Sequence, residues 1–273
     1  MIHIAIGQCG STGTAEENQQ EMERLLLQAV EEDPKLDLMV FPEYCRYTPA
    51  SRADALDCAI SLEDPDPFID RMRQLARTYG VCLIPGSFPE RAGERKVCNT
   101  VLTIGRDGEI LGKYQKIHLF DAAGYQESSY MQAGDALCLV DTDFGRVGVL
   151  VCYDLRFPEL ARSLCLQGAE LLVCPAQFPC GQPLPARVDD WDLLIRSTAL
   201  TNLTYTVGAN QFGIVRRDAP FGRSCVADPR GTVIAAASGR NCVVHAMLDL
   251  DYQREVQKNL ASWNNRRPDV YCL

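Results

Sequence analysis

Short apolar runs alternate along this chain with longer stretches in which apolar residues recur every three or four positions. Residues 2–6 alternate with small side chains and predict a strand. Residues 15–32 carry Met22, Leu25, Leu26, Ala29 and Val30 at helical spacing, with Thr14 and Glu17 set as a capping box. Residues 36–41 predict the next strand, and Pro42-Glu43-Tyr44 ends it, so the chain opens as β-α-β with a carboxylate at the strand's exit. A helix over 67–79 and a strand over 81–84, stopped by Pro85-Gly86, repeat that alternation. Arg106-Asp107-Gly108 then joins 99–104 to 109–116 as a hairpin, because Asp-Gly suits a tight turn. The polar, glycine-containing stretch 121–135 predicts a loop.

The second half follows the same grammar. Residues 147–152 form an uninterrupted run of small and β-branched residues, the pattern of a strand buried on both faces, with Cys152 at its end. Pro158 and Glu159 suit a first helical turn and open a helix over 158–167. A buried strand over 169–174 stops at Pro175, and 178–186, with three prolines and a glycine, predicts an irregular loop. Residues 189–202 place Trp191, Leu194, Ile195, Thr198 and Ala199 on one helical stripe, and 205–209 predict another strand. Asp228-Pro229-Arg230-Gly231 marks a second hairpin, to which 243–248 are assigned as a third antiparallel member before a polar helix over 252–260. No linker or repeat divides the chain, so a single domain over 1–273 is expected. The fold class is α/β, with mixed sheets covered by helices on their outer faces.

Composition narrows the class. A hydrophobic content of 47% in 273 residues supplies a sizeable core, and a formal charge of -9 without a basic cluster argues against nucleic acid. No run approaches the ~20 apolar residues of a membrane span. The 13 cysteines are odd in number, lack CxxC spacing and follow an N-terminus without a basic or apolar leader pattern. A reduced, cytoplasmic protein is therefore expected rather than a disulfide framework. The three histidines are scattered, so no metal site is expected.

Three residues fit one chemistry. Cys152 stands at the carboxyl end of a core strand ahead of a helix, where thiolate is electrostatically favoured; taken alone, it reads first as a buried structural cysteine, and its neighbours change that reading. Glu43 leaves another core strand. Lys116 is preferred to Lys113, which faces the opposite way in a strand, because Lys116 precedes apolar Ile117, Leu119 and Phe120. A lysine held among apolar residues needs a partner, and Glu43 is the candidate. Together they offer a base, a nucleophile and a cation, the cation joined by the backbone N–H of Tyr153 as an oxyanion donor.

The blocks Phe41-Pro42-Glu43, Lys113 to Phe120, and Val151-Cys152-Tyr153-Asp154-Leu155-Arg156-Phe157-Pro158-Glu159 resemble, in order and spacing, the three signatures of the nitrilase superfamily of carbon-nitrogen hydrolases. The resemblance implies an α-β-β-α sandwich, forming four layers, that associates as a homodimer through helices. It implies Glu43 as general base, Cys152 as nucleophile, Lys116 as stabiliser of the tetrahedral intermediate, and Glu127 as the glutamate positioning the substrate and the lysine. Tyr153 and Phe178 are further candidates for substrate contact. The implied reaction releases ammonia from a small-molecule carboxamide through a thioester, with no cofactor.

Within the superfamily the sequence is similar to the ω-amidase branch, which acts on short dicarboxylic monoamides such as 2-oxoglutaramate. The support is the block 152–157 together with Trp191, Leu194, Arg196 and the segment 202–210. Two stretches depart from the pattern: the loop between Phe120 and Glu127 is short, and Pro179-Cys180-Gly181-Gln182-Pro183 differs at one wall of the expected pocket. An N-carbamoyl or deaminated-glutathione amidase using the same trio is the alternative enzyme. A catalytically silent binding or scaffold member is the alternative of another class. Tyr-Asp after the cysteine, where true nitrilases carry Trp-Glu, argues against nitriles. Arg156 suits either a substrate carboxylate or a structural pair with an acid such as Glu159, and is left outside the site.

Overall fold

The computed structural model describes residues 1–180, 187–216 and 218–271. The chain runs β1 (Ile2–Gln8), α1 (Ala15–Glu32), β2 (Leu38–Val40), α2 (Arg52–Asp57), α3 (Pro67–Tyr79), β3 (Cys82–Ile84), β4 (Ser87–Ala92), β5 (Lys96–Ile104) and β6 (Ile110–Gln115). It continues through β7 (Leu139–Thr142), β8 (Gly145–Val149), α4 (Pro158–Leu166), β9 (Leu171–Ala176), β10 (Pro179–Cys180), α5 (Arg187–Asn202), β11 (Tyr205–Asn210) and β12 (Ala219–Pro220). It closes with β13 (Cys225–Ala227), β14 (Val233–Ala236), β15 (Cys242–Leu248) and α6 (Leu250–Leu260).

Two large sheets result. In the first, β15-β1-β2-β3-β5-β4 lie in order and β6 also pairs with β5; in the second the order is β14-β13-β11-β9-β8-β7. Each has a parallel centre, β1-β2-β3 or β8-β9-β11, flanked by antiparallel strands. Strand alternation then decides the layers, because successive side chains point to opposite faces. Ile4, Ile6, Leu38, Val40 and Ile84 join Val147, Val149, Val173 and Val207 in one core between the sheets. Their neighbours Ala5, Met39 and Leu83 face outward and are covered by Met22, Leu25 and Leu26 of α1 and by Phe68, Met72 and Leu75 of α3. Leu160, Leu164, Trp191 and Ile195, from α4 and α5, cover the other sheet, giving the expected α-β-β-α order. Gly208 makes one of these approaches possible: a Cβ there would stand 2.7 Å from Ile195 and Trp191. The capping box at Thr14 and Glu17 forms as expected.

Three expectations are corrected. The strand read to Cys152 stops at Val149, and Cys152 opens a short 3-10 turn over Cys152–Arg156. The segment assigned to the second hairpin's sheet, β15, instead runs antiparallel to β1 in full register, Ile2 opposite Leu248 and Gln8 opposite Cys242. Its alternation identifies a half-buried strand, and any edge of either sheet accepts such a strand. The loop over 121–135 contains a 3-10 turn, Glu127–Ser129, that carries a carboxylate into the site. Of the predicted loop over 178–186, residues 181–186 lie outside the described residues, while Pro179 and Cys180 pair with β12. Among the described residues no helix is long and apolar enough to cross a membrane.

Candidate active site

Four strand exits at the carboxyl ends of the parallel centres and their neighbours define a cleft, the usual location for reactive groups in α/β sheets. Glu43 follows β2, Lys116 follows β6, Cys152 follows β8 and Gln177 follows β9. All four line one cleft with Tyr44, Phe120, Tyr125, Glu127, Arg187 and Asp218. Gly86 holds the Glu43 turn close to β3: its φ is +76°, and a Cβ would stand 2.0 Å from the Pro42 carbonyl oxygen.

Glu43 is buried to 2% exposure and fixed at both carboxylate oxygens. Oε1 accepts from Asn99 Nδ2 at 2.7 Å and lies 3.4 Å from Lys116 Nζ; Oε2 accepts from the backbone N–H of Gln177 at 2.8 Å. Lys116 is 1% exposed, and its Nζ donates to Glu127 Oε2 at 2.9 Å. Desolvation acts to remove the lysine proton, but the carboxylates of Glu127 and Glu43 outweigh it and hold Lys116 well above the ordinary lysine range. Glu127 Oε2 also accepts from the backbone N–H of Phe120 at 2.8 Å, tying the 3-10 turn to the lysine strand. Lys113, by contrast, is exposed to solvent on the other side and reaches in to the buried Glu90 at 2.9 Å.

Cys152 adopts a left-handed φ of +48°, which costs about 1–2 kcal/mol for a non-glycine residue and is held here by its neighbours. The anchor is Asp154, which is fully buried. It accepts from the Val151 N–H at 2.8 Å, the Tyr114 hydroxyl at 2.7 Å and the His118 N–H at 3.1 Å, with His118 Nδ1 at 2.7 Å. The nucleophile turn and the lysine strand therefore share one carboxylate. The expectation of a favoured thiolate is corrected: burial pushes the Cys152 thiol well up, and Glu43 pushes it further, against the opposing charges of Lys116 and Arg187. At rest the sulfur carries its proton and needs a base.

The remaining candidates lie around this centre. The ring of Tyr153 packs edge-on against Phe120 and Phe157, at centroid distances of 4.9 and 5.2 Å. Phe178 is fully buried beside Trp191, with the Arg187 guanidinium 3.9 Å from its ring centroid. Neither side chain is among those lining the cleft; Phe178 reaches it through Arg187. Arg156 pairs with Asp190, not with Glu159. Sequence reading missed Arg187, Tyr44, Gln177 and Asp218 at the cleft wall. Arg187 carries no motif signal and directly follows the proline-rich stretch. Among the described residues no group of acids, cysteines and histidines could hold a metal ion.

A protonated thiol facing a desolvated carboxylate, with an ammonium held beside both, defines a cysteine hydrolase that attacks acyl carbon. The family model for carbon-nitrogen hydrolase matches residues 3–258. The chain belongs to that family and is an amidase; Glu43, Lys116 and Cys152 line its cleft. It is 36% identical to the omega-amidase NIT2 of Xenopus tropicalis over 215 residues, covering 77% of this chain and 76% of that one. It is 32% identical to the deaminated glutathione amidase of Rattus norvegicus over 271 residues, covering 94% and 81%. Among solved structures, Saccharomyces cerevisiae Nit3, a member of branch 10 of the nitrilase superfamily, superposes with a TM-score of 0.86 at 28% identity, over 94% of this chain and 93% of that one.

Proposed function

We propose that this amidase hydrolyses the terminal carboxamide of a short dicarboxylic monoamide, in the manner of an ω-amidase, and that Glu43, Lys116 and Cys152 carry the reaction. The observation that carries this reading is the 2.9 Å contact that holds a desolvated Lys116 ammonium in the cleft of Cys152 and Glu43. Glu43 takes the thiol proton as Sγ attacks the amide carbon, so no free thiolate is needed at rest. The oxyanion is met by Lys116 Nζ and the backbone N–H of Tyr153. Glu43 then returns the proton to the leaving nitrogen, ammonia departs, and a thioester remains on Sγ. Water, deprotonated by Glu43, attacks the thioester; the second tetrahedral intermediate collapses to acid and thiol. Glu127 keeps Lys116 charged and in place.

The similarity to ω-amidases at 36% identity supports the substrate class. The relative named for deaminated glutathione supports a longer acyl group as the second reading. We take the chain as one catalytic domain that works as a cytoplasmic homodimer, joined through its outer helices. Exposed Leu193 and Leu200 on α5 and Leu166 on α4 are the apolar side chains such a contact would cover. The test is ammonia release by the purified protein from ω-amides, deaminated glutathione, N-carbamoyl acids and nitriles, with Cys152→Ala as control. Release confined to short ω-amides and absent in the variant is expected. Activity kept by Cys152→Ala, or none on any amide, contradicts the reading.

A further inference from the structure

One cation in the cleft has no task in the chemistry above. Arg187 opens α5 and is only 5% exposed, and its Nη1 is buried without a hydrogen-bond partner among the described residues. Leaving a buried guanidinium nitrogen unmatched is costly unless something else supplies the acceptor. The acids around it are already engaged. Glu43 holds Asn99 and the Gln177 N–H, Glu127 holds Lys116 and the Phe120 N–H, Asp218 accepts from the Tyr125 hydroxyl, and Asp190 pairs with Arg156. The guanidinium itself is clamped between rings, 3.9 Å from the Phe178 centroid and 5.2 Å from that of Phe120. Such stacking fixes the plane of its donor fork while leaving the edge for an acceptor.

Taking the amidase reading above as its basis, we propose that Arg187 binds the carboxylate at the far end of the acyl chain and so determines specificity for monoamides of dicarboxylic acids. Its place follows from the walls of the cleft. Elsewhere the cleft presents carboxylates, from Glu43, Glu127 and Asp218, which repel a substrate anion, and the Lys116 ammonium is already held by two of them. An acid entering the cleft is therefore steered to Arg187, and the amide at its other end is left facing Cys152. Arg156, the arginine inside the cysteine motif, is excluded from this role by its pairing with Asp190.

The test compares kcat/KM for succinamate and for butyramide, two four-carbon amides that differ at the far end in carrying a carboxylate or a methyl group. The wild-type enzyme is expected to favour succinamate. Arg187→Met should lower the succinamate-to-butyramide ratio by about 100-fold, chiefly through KM, and Arg187→Lys should recover part of it. Calorimetric binding of succinate to the Cys152→Ala protein should be lost when Arg187→Met is added. An unchanged ratio in Arg187→Met, or equal losses on both amides, overturns the proposal. A wild-type enzyme that cleaves butyramide but not succinamate overturns it too, while leaving the amidase chemistry standing. Inertness toward every amide overturns the amidase reading and this proposal with it.

Discussion

Lys116 Nζ lies 2.9 Å from Glu127 Oε2, inside a cleft where the lysine is 1% exposed. A desolvated ammonium keeps its proton only while anions face it, so the pair converts a position that favours a neutral amine into a fixed positive charge. Glu127→Gln removes one of the two facing carboxylates and leaves Glu43. The expected result is a fall in kcat of about 100-fold with a smaller change in KM, as for loss of one oxyanion-stabilising group. Steady-state kinetics on an ω-amide checks it, and a kcat within about threefold of wild type contradicts it.

Glu43 acts on the sulfur in two ways that one substitution separates. Its charge raises the Cys152 pKa, so Glu43→Gln should move the alkylation pKa of Cys152 downward. The same change removes the base and should reduce turnover about 100- to 10,000-fold. The readout is the pH dependence of iodoacetamide labelling at Cys152, followed by mass spectrometry. A thiol pKa that stays put or rises shows that the Glu43 charge does not act on the sulfur.

Asp154 joins the nucleophile turn to the lysine strand through four donor atoms while fully buried. Asn in its place turns an NH2 group toward donors that need an acceptor. Asp154→Asn should therefore cost about 2–4 kcal/mol, since it leaves buried donors unmet. Urea unfolding measures this through the midpoint, and a loss below about 0.5 kcal/mol, the range of surface substitutions, contradicts the anchoring role.

Much of this centre could be read from residue order alone, and the reasons differ by position. Lys116 was separable from Lys113 because strand geometry sends neighbours three apart to opposite faces, and the apolar residues after Lys116 marked its side as buried. The core strands announced themselves as short apolar runs, and helices α1 and α5 by period. β4 did not, since Pro89, Glu90 and Arg91 break its pattern; Glu90 is nevertheless met inside the sheet by Thr100, Lys113 and Gln115. β15 showed its faces but not its sheet, because alternation specifies burial and not a partner. Arg187 left no signal, as its burial depends on Phe178, across the proline-rich stretch, and on Phe120, far away in sequence, which only the fold brings together.

Buried thiols set an alkaline limit. Burial pushes Cys138 and Cys165 up to about 11 and Cys82 and Cys225 up to about 12, from an ordinary value of 9.0. With folded values raised, the unfolded chain loses these protons first. Their contribution is intact below pH 9.0 and is lost as pH climbs toward 11 and 12. Each contributes up to about 1.4 kcal/mol per pH unit inside its window. Thermal unfolding under reducing conditions should show Tm falling steeply above that point, and Cys138→Val should flatten the fall. A Tm independent of pH over this range contradicts the assignment.

Catalysis through Cys152 requires a covalent acyl group on its sulfur between ammonia release and water attack. Acid quenching during steady-state turnover of succinamate, followed by peptide mass spectrometry, looks for it directly. The expected result is a succinyl increment confined to the Cys152 peptide, removed by hydroxylamine and absent in Cys152→Ala. Full ammonia release with no increment on that peptide, or an increment on another residue, contradicts the assigned nucleophile.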